Sequence, residues 1–325
     1  MLVLECPCPL SVCFGDTTMK RRDFLSMTTL AAGAAAFTPL TGITQTTPPT
    51  TLSSPIEPVW VPLTKEVKTT LIGFGTGMRG GNRRADLTRM GYPKAIELLR
   101  HAYDRGIRLF DCADMYGTHD VVAEALRGKP RDSYVLVTKV WMRPGGIPET
   151  ERLPPEESIK RFLREMRTDY IDVVQIHCMD NNQWTQQFAD SMESLDKAKK
   201  AGLIRAHGIS SHSNAATELA AETEWCDVVH VRINSEGIQM DGPRDDAAAR
   251  VAEAVRTAKK NHDAGKGVIA MKVLGQGDGG MPNDPEMRKK STKFLMDLGC
   301  INVMIIGFTE KEHITEFVTN VAALS

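Results

Sequence analysis

This 325-residue chain has no excess of charge of either sign: 40 Lys and Arg stand against 41 Asp and Glu, a formal net charge of −1. So even a balance supplies no basic face to grip a phosphate backbone, and nucleic acid drops out as a partner. No apolar run is long enough to favour a membrane-crossing helix; the best candidate, ending near Ala34, Ala35 and Ala36, is short and rich in Ala and Gly. Of seven cysteines, Cys112, Cys178, Cys226 and Cys300 are widely spaced and form no CxxC pair, so free, mostly buried thiols are expected. The fingerprint GxGxxG is also missing. Gly73, Phe74, Gly75, Thr76, Gly77 and Met78 read GxGxGx instead, which leaves an open doubly wound sheet as the weaker architecture.

What the amino terminus does have is Lys20, Arg21, Arg22, Asp23, Phe24 and Leu25, followed by the weakly apolar run and its small residues. A basic start, a short apolar middle and a small-residue cleavage region form an export signal. Residues 19–36 resemble the twin-arginine type, which implies a protein exported folded, often with its cofactor bound, to the periplasm. No Cys follows the cleavage region, so no lipid anchor is expected. Residues 1–18, with Cys6, Cys8 and Cys13, are read as an extension ahead of a start at Met19. Residues 37–64, rich in Thr and Pro, read as a flexible tether. The remainder, 65–325, is long enough for one large domain.

Through that domain short apolar strands alternate with helix-sized stretches. Strands are expected near 70–75, 108–110, 134–138, 171–176, 203–208, 228–232, 268–271 and 303–306. Helices are expected near 93–105, 119–127, 156–168, 186–200, 213–222, 245–262, 284–298 and 310–321. Eight such units predict an α/β fold of the closed (β/α)8 barrel type, in which chemistry collects at the carboxyl ends of the strands.

Polar outliers stand at those ends. Asp111 follows the second strand with Tyr116 in the same loop, Lys139 follows the third and His177 the fourth. These types suit carbonyl reduction: hydride on carbon leaves charge on oxygen, which needs a proton and nearby donors. Tyr116 is the expected acid, its pKa lowered by Lys139; Asp111 orients Lys139, and His177 donates to the oxygen.

The run Phe110, Asp111, Cys112, Ala113, Asp114, Met115, Tyr116, Gly117 is similar to the FDTAxxYG signature of the aldo-keto reductase superfamily, with Cys112 in place of Thr. Lys139 ends a TK strand motif and His177 ends the run DVVQIH. The resemblance covers residues 65–325. It implies reversible hydride transfer between a nicotinamide cofactor and an aldehyde or ketone, the cofactor lying extended across the barrel without a Rossmann fold. Ser210 matches a family serine at the nicotinamide carboxamide. Ser211 stands where Asn is common, and His230 where Gln is frequent. Gly75 and Thr76 end the first strand on the cofactor side. Lys272, Leu274, Gly275 and Gly277 form a loop suited to a pyrophosphate, and Gly307 and Thr309 precede the last helix, a second anion site. His313 falls close to the family's phosphate-selective Arg, with Lys311 two residues earlier; neither supplies a guanidinium fork. NADP is therefore expected only slightly ahead of NAD, on family habit.

Trp141, Met142 and Trp184 are candidate walls of the substrate pocket. The chain ends at Ser325, soon after the eighth helix, without the long loop that shapes specificity in many members. An open pocket, or one completed by a second subunit, is expected. Export of a nicotinamide enzyme further implies a tightly held cofactor or a redox partner. Two other readings compete: a nucleotide-binding barrel with a regulatory role, and a metal-dependent hydrolase using His177, Cys178, Asp180, His207 and His212. No repeated metal-ligand spacing supports the latter, and no metal is expected.

Overall fold

The structure is a computed structural model that describes residues 56–324. The expected extension and export signal, and most of the expected tether, lie outside the described residues.

Eight parallel strands close into a barrel in the order β10-β3-β4-β5-β6-β7-β8-β9. They are β3 (Ile72–Gly75), β4 (Leu109–Asp111), β5 (Val135–Val140), β6 (Ile171–Met179), β7 (Ile204–Ser211), β8 (Val228–Arg232), β9 (Gly267–Met271) and β10 (Val303–Ile306). Around them run α1 (Asp86–Arg89), α2 (Tyr92–Asp104), α3 (His119–Ala125), α4 (Pro155–Met166), α5 (Trp184–Gln187), α6 (Ala189–Lys200), α7 (Asn214–Glu222), α8 (Ala247–Asp263), α9 (Pro285–Asp297) and α10 (Lys311–Leu324). Among the described residues no helix is long and apolar enough to cross a membrane.

The local signals explain the elements. In α4 a proline opens the first turn with Glu156 and Glu157 beside it, which complements the helix dipole. Ile159, Phe162 and Met166 recur on its buried face, and Arg167 ends it in the left-handed region at φ +52°. In α9 the Asp284 carboxylate accepts from the backbone N–H groups of Glu286 and Met287, a cap that fixes the wall of the cleft described below. The strands are covered by helices outside and fill the barrel inside, so they read as continuous apolar runs. All six residues of β5 are buried, Lys139 among them.

One boundary differs from the sequence reading. The tether does not extend to residue 64: β1 (Trp60–Pro62) pairs antiparallel with β2 (Lys68–Thr70), and Leu63 is 3% exposed. Leu63 and Val67 pack with Leu109, Val135, Val173, Val228, Ile269 and Val303 at the amino-terminal end of the barrel. Three-residue strands among Thr and Pro carry too little periodicity to be seen, yet they place two aliphatic side chains where the barrel interior would otherwise be open.

Candidate active site

At the carboxyl ends the apolar pattern breaks. Lys139 Nζ lies 2.5 Å from Asp111 Oδ1 and 2.8 Å from the Cys112 carbonyl oxygen. His230 Nε2 lies 3.1 Å from the same Asp111 oxygen. All three side chains are buried. Burial opposes ionisation of Asp111, but the charge of Lys139 and the His230 contact overcome it and hold the carboxyl at about 2. Thr76 supports this group from behind: its hydroxyl donates to the Asp111 carbonyl at 2.8 Å and meets Thr118 Oγ1 at 2.7 Å. That is a bracing role, not the cofactor contact expected.

Tyr116 ends a single 3-10 turn, Asp114–Tyr116, that Gly117 closes at φ +64°. A side chain at Gly117 would strike the Arg83 carbonyl oxygen, 2.1 Å from an ideal Cβ. The buried Asp114 carboxylate locks the turn through Arg83 at 2.8 Å and Arg161 at 2.9 Å. Gly77 and Gly80 lie directly on the Tyr116 ring; a Cβ at Gly77 would stand 2.3 Å from ring atoms. The hydroxyl sits 3.4 Å from His177 Nε2. Lys139 Nζ stands 5.4 Å from the ring centroid, its close contacts made elsewhere. Burial, followed by the charge of Asp111, pushes the phenol well above its ordinary value of 10. The expected lowering by Lys139 is therefore absent, because Lys139 is held on Asp111 and Cys112. Tyr116 is a protonated phenol.

His177 is also buried. Desolvation first, then Lys139, carries its pKa well below 6.5, so the ring is neutral. Trp141 packs edge-on against it, with centroids 5.2 Å apart. Met142 is half-buried beside the same strand end. Trp184 is not a pocket wall. It is fully buried, tilts on Trp225 at 6.2 Å and donates from Nε1 to the Ala216 carbonyl at 3.3 Å, so it fills the layer between helices and barrel.

A cleft of about 390 Å³ opens from Asp111, Tyr116, Lys139 and His230. It passes Gly75, Lys272, Leu274 and Gly277 and runs on to Gly307, Thr309 and His313. Gly275 is outside it, against Ile238 and Met281. Ser211 is spent: its hydroxyl donates to the Ser213 carbonyl at 2.8 Å and accepts from Thr217 Oγ1 at 2.8 Å, at the start of α7. A short hydroxyl after a strand was drawn into the next helix start, a competing use that spacing does not reveal. Ser210 and His230 stand opposite each other in the β7–β8 register. Among the described residues, buried Ser210 Oγ and His230 Nδ1 have no partner. Such unpaired buried atoms are costly unless a ligand satisfies them, and an amide, with one donor and one acceptor edge, fits the pair.

The sequence reading missed Arg288, which lies on α9 and lines the far end of the cleft with His313 and Glu316. Its Nη1 donates to the Pro282 carbonyl at 2.7 Å and its Nη2 pairs with Glu316 at 2.5 Å. Attention to strand ends passes over a helix residue; the Asp284, Pro285 start was its only signal. Among the described residues no three or more His, Cys, Asp or Glu side chains are arranged to hold a metal. His207 faces the helices, stacked on Trp225 at 4.3 Å and 2.9 Å from Asp196.

Known proteins are similar to this chain in sequence and in fold. Aldo-keto reductase YhdN of Bacillus subtilis is 32% identical over 155 residues, which cover 45% of this chain and 45% of that one. Methylglyoxal reductase DkgB of Salmonella typhi is 30% identical over 141 residues, 43% of this chain and 50% of its own. The chain thus spans about half the length of the curated relatives it matches. An aldo-keto reductase from Klebsiella pneumoniae in complex with NADPH has the same fold, with a TM-score of 0.58 at 20% identity over 82% of this chain and 90% of that one. So does the holo form of aldo-keto reductase AKR11C1 from Bacillus halodurans, at 0.60 and 18% over 82% and 90%. The profile of the aldo/keto reductase family matches residues 71–317, from the first barrel strand into the last helix and across every strand end described above, and the chain belongs to that family.

Proposed function

We propose that the chain is an NADP(H)-dependent reductase of small aldehydes or ketones, working reversibly. The observation that carries this reading is the buried Asp111–Lys139 pair beneath a protonated Tyr116 whose hydroxyl faces His177 at 3.4 Å. A nicotinamide held in this cleft by Ser210 and His230 would supply the hydride for the carbonyl carbon. Tyr116 and His177 Nε2 are close enough to meet one oxygen between them; Tyr116 gives it a proton and neutral His177 donates a hydrogen bond. The positive charge of Lys139 then lies under the phenolate, while Asp111 keeps Lys139 in place. Ser210 and His230 suit the carboxamide, the backbone at Gly277 suits a pyrophosphate, and Arg288 adds the guanidinium that His313 does not. That guanidinium, with the NADPH named for the Klebsiella relative, favours NADP over NAD. The name of DkgB supports a small aldehyde as substrate.

Tyr116→Phe should lower turnover by at least about 100-fold while NADPH binding, followed by fluorescence, persists. Near-native turnover in that variant overturns the mechanism. NADPH binding with no turnover of any carbonyl by the unaltered protein would favour a regulatory barrel instead.

We also propose export to the periplasm by the twin-arginine route with the dinucleotide already seated, on the strength of Arg21, Arg22 and the run after them. Replacing both arginines by Lys should abolish the processed periplasmic form, and mass analysis of that form should find the nucleotide. Unchanged export of the variant removes the first claim, and nucleotide-free processed protein removes the second.

A further inference from the structure

Above the reacting groups the barrel mouth carries Arg232, a cation to which the hydride-transfer reading gives no role, next to Lys272 at the start of the loop that reading gives to the pyrophosphate. Arg232 ends β8 two residues beyond His230, so it stands on the same inward face one layer nearer the mouth. It is paired in register with Met271, and Lys272 follows at once. Lys272 has φ +61°, a left-handed conformation that a residue with a β-carbon rarely adopts unless its surroundings impose it. Here they do: fully buried Asn234 donates from Nδ2 to the Lys272 carbonyl at 2.9 Å and to the Ile238 carbonyl at 2.7 Å. Across the mouth Cys178, next to His177, is also left-handed at φ +67°, and its carbonyl accepts from Arg143 at 2.8 Å.

The counter-charge is thin. Arg143 pairs with Asp180 at the exposed edge. Among the described residues Arg232 pairs with Asp241, at 3.5 Å, a carboxyl that burial pushes up, and its Nε is buried without a partner. Lys272 Nζ is bonded to the neutral Gln276 amide. Burial and then the neighbouring Arg232 bring Lys272 down to about 8, although Asp278 and Asp241 pull the other way.

We propose that this mouth selects carbonyl substrates that also carry an anionic group, a carboxylate or a phosphate, held by Arg232 and Lys272 while the carbonyl reaches Tyr116 and His177. The proposal rests on the reductase reading above. One two-residue strand step separates Arg232 from the level of His230, about 7 Å, so the anion should lie a few carbons from the carbonyl.

The probes are 4-oxobutanoate and butanal, aldehydes of equal chain length that differ in the terminal carboxylate. The unaltered protein with NADPH should show a kcat/KM for 4-oxobutanoate roughly tenfold or more above that for butanal, the scale of a charge-assisted hydrogen bond. Arg232→Gln should bring the ratio towards one, and Arg232→Lys should restore part of it. A ratio near one in the unaltered protein, or a ratio unchanged in Arg232→Gln, overturns the proposal. So does a loss in Arg232→Gln that appears as weaker NADPH binding and leaves the ratio intact, since the cation would then serve the dinucleotide. Calorimetric binding of both aldehydes to Tyr116→Phe protein loaded with NADPH separates this from the failure of the reductase reading. Preferential binding of 4-oxobutanoate supports the anion site whether or not the parent protein turns over, and equal binding overturns it.

Discussion

His230 reaches Asp111 across the barrel, Nε2 to Oδ1 at 3.1 Å, and ends on the oxygen that also receives Lys139. A carboxylate only accepts, so Nε2 carries the proton and Nδ1 is left as a buried acceptor without a partner among the described residues. The histidine therefore joins the group that would hold the carboxamide to the group that positions Lys139.

Removing that link should change the acid side of catalysis. Asp111 is held at about 2 against its burial by Lys139 and His230 together. In His230→Ala one of the two is gone, so the Asp111 pKa rises and the acid limb of the kcat profile moves to higher pH. Turnover should fall roughly tenfold, the scale of one hydrogen bond to a charged group. His230→Gln, which keeps a donor and an acceptor, should recover part of it. An acid limb unmoved in His230→Ala would show that His230 does not act through Asp111.

Gly77→Ala tests the packing above the tyrosine. The added Cβ would lie 2.3 Å from the Tyr116 ring, so the ring must move. A displacement of about 1 Å at a reacting group can cost on the order of 100-fold in rate. Turnover should drop by about that much, while the melting temperature and NADPH binding change little. Near-parental turnover would mean that the position of the ring is not limiting.

The pH dependence of the two reaction directions should differ. The Tyr116 phenol is raised well above 10 by burial and by the charge of Asp111. Reduction needs the protonated form and should show no loss attributable to Tyr116 between pH 7 and pH 9. Alcohol oxidation needs the phenolate, and its rate should climb with pH throughout that range. Steady-state rates in both directions suffice, and a reduction rate that falls with a midpoint near 7 contradicts the assignment.

Much of this was legible in the sequence because parallel strands buried on both faces are mostly apolar, so that polar residues at their carboxyl ends stand out. Asp111, Lys139 and His177 stand out against Leu109, Val137 and Val174 for that reason. The misses have equally local causes. Trp184 follows a strand, but its indole turns towards Trp225 and the Ala216 carbonyl rather than to the cleft. Thr76 and Ser211 occupy strand ends as expected, yet their hydroxyls are consumed by the Asp111 carbonyl and by the start of α7. The β1–β2 hairpin is hidden by Thr and Pro, and Arg232 could have been found by stepping two residues along β8 from His230. Arg288 arrives from a helix, where strand-end logic has no purchase.

Acid should loosen the fold well before the carboxylates titrate. Desolvation holds His177 well below 6.5, lowers His230, and brings His212 to about 3 with help from Arg232, Lys272 and Arg143. In the unfolded chain each returns to about 6.5. These folded values are depressed, so their contribution is fully present above the unfolded value and is lost as pH falls from there towards the folded one. Below 6.5 the unfolded chain binds protons that the folded chain refuses, at about 1.4 kcal/mol per pH unit for each group. By pH 5 His212 alone costs about 2 kcal/mol. Asp111 does not offset this, because its stabilisation persists until the pH drops below 3.8 and is lost only towards 2. Thermal melts should therefore show a clear fall in Tm from pH 7 to pH 5, and His212→Asn should flatten that slope by its share. A Tm independent of pH across the interval would mean that these histidines accept protons in the folded protein, and would remove the basis for a neutral His177 as donor.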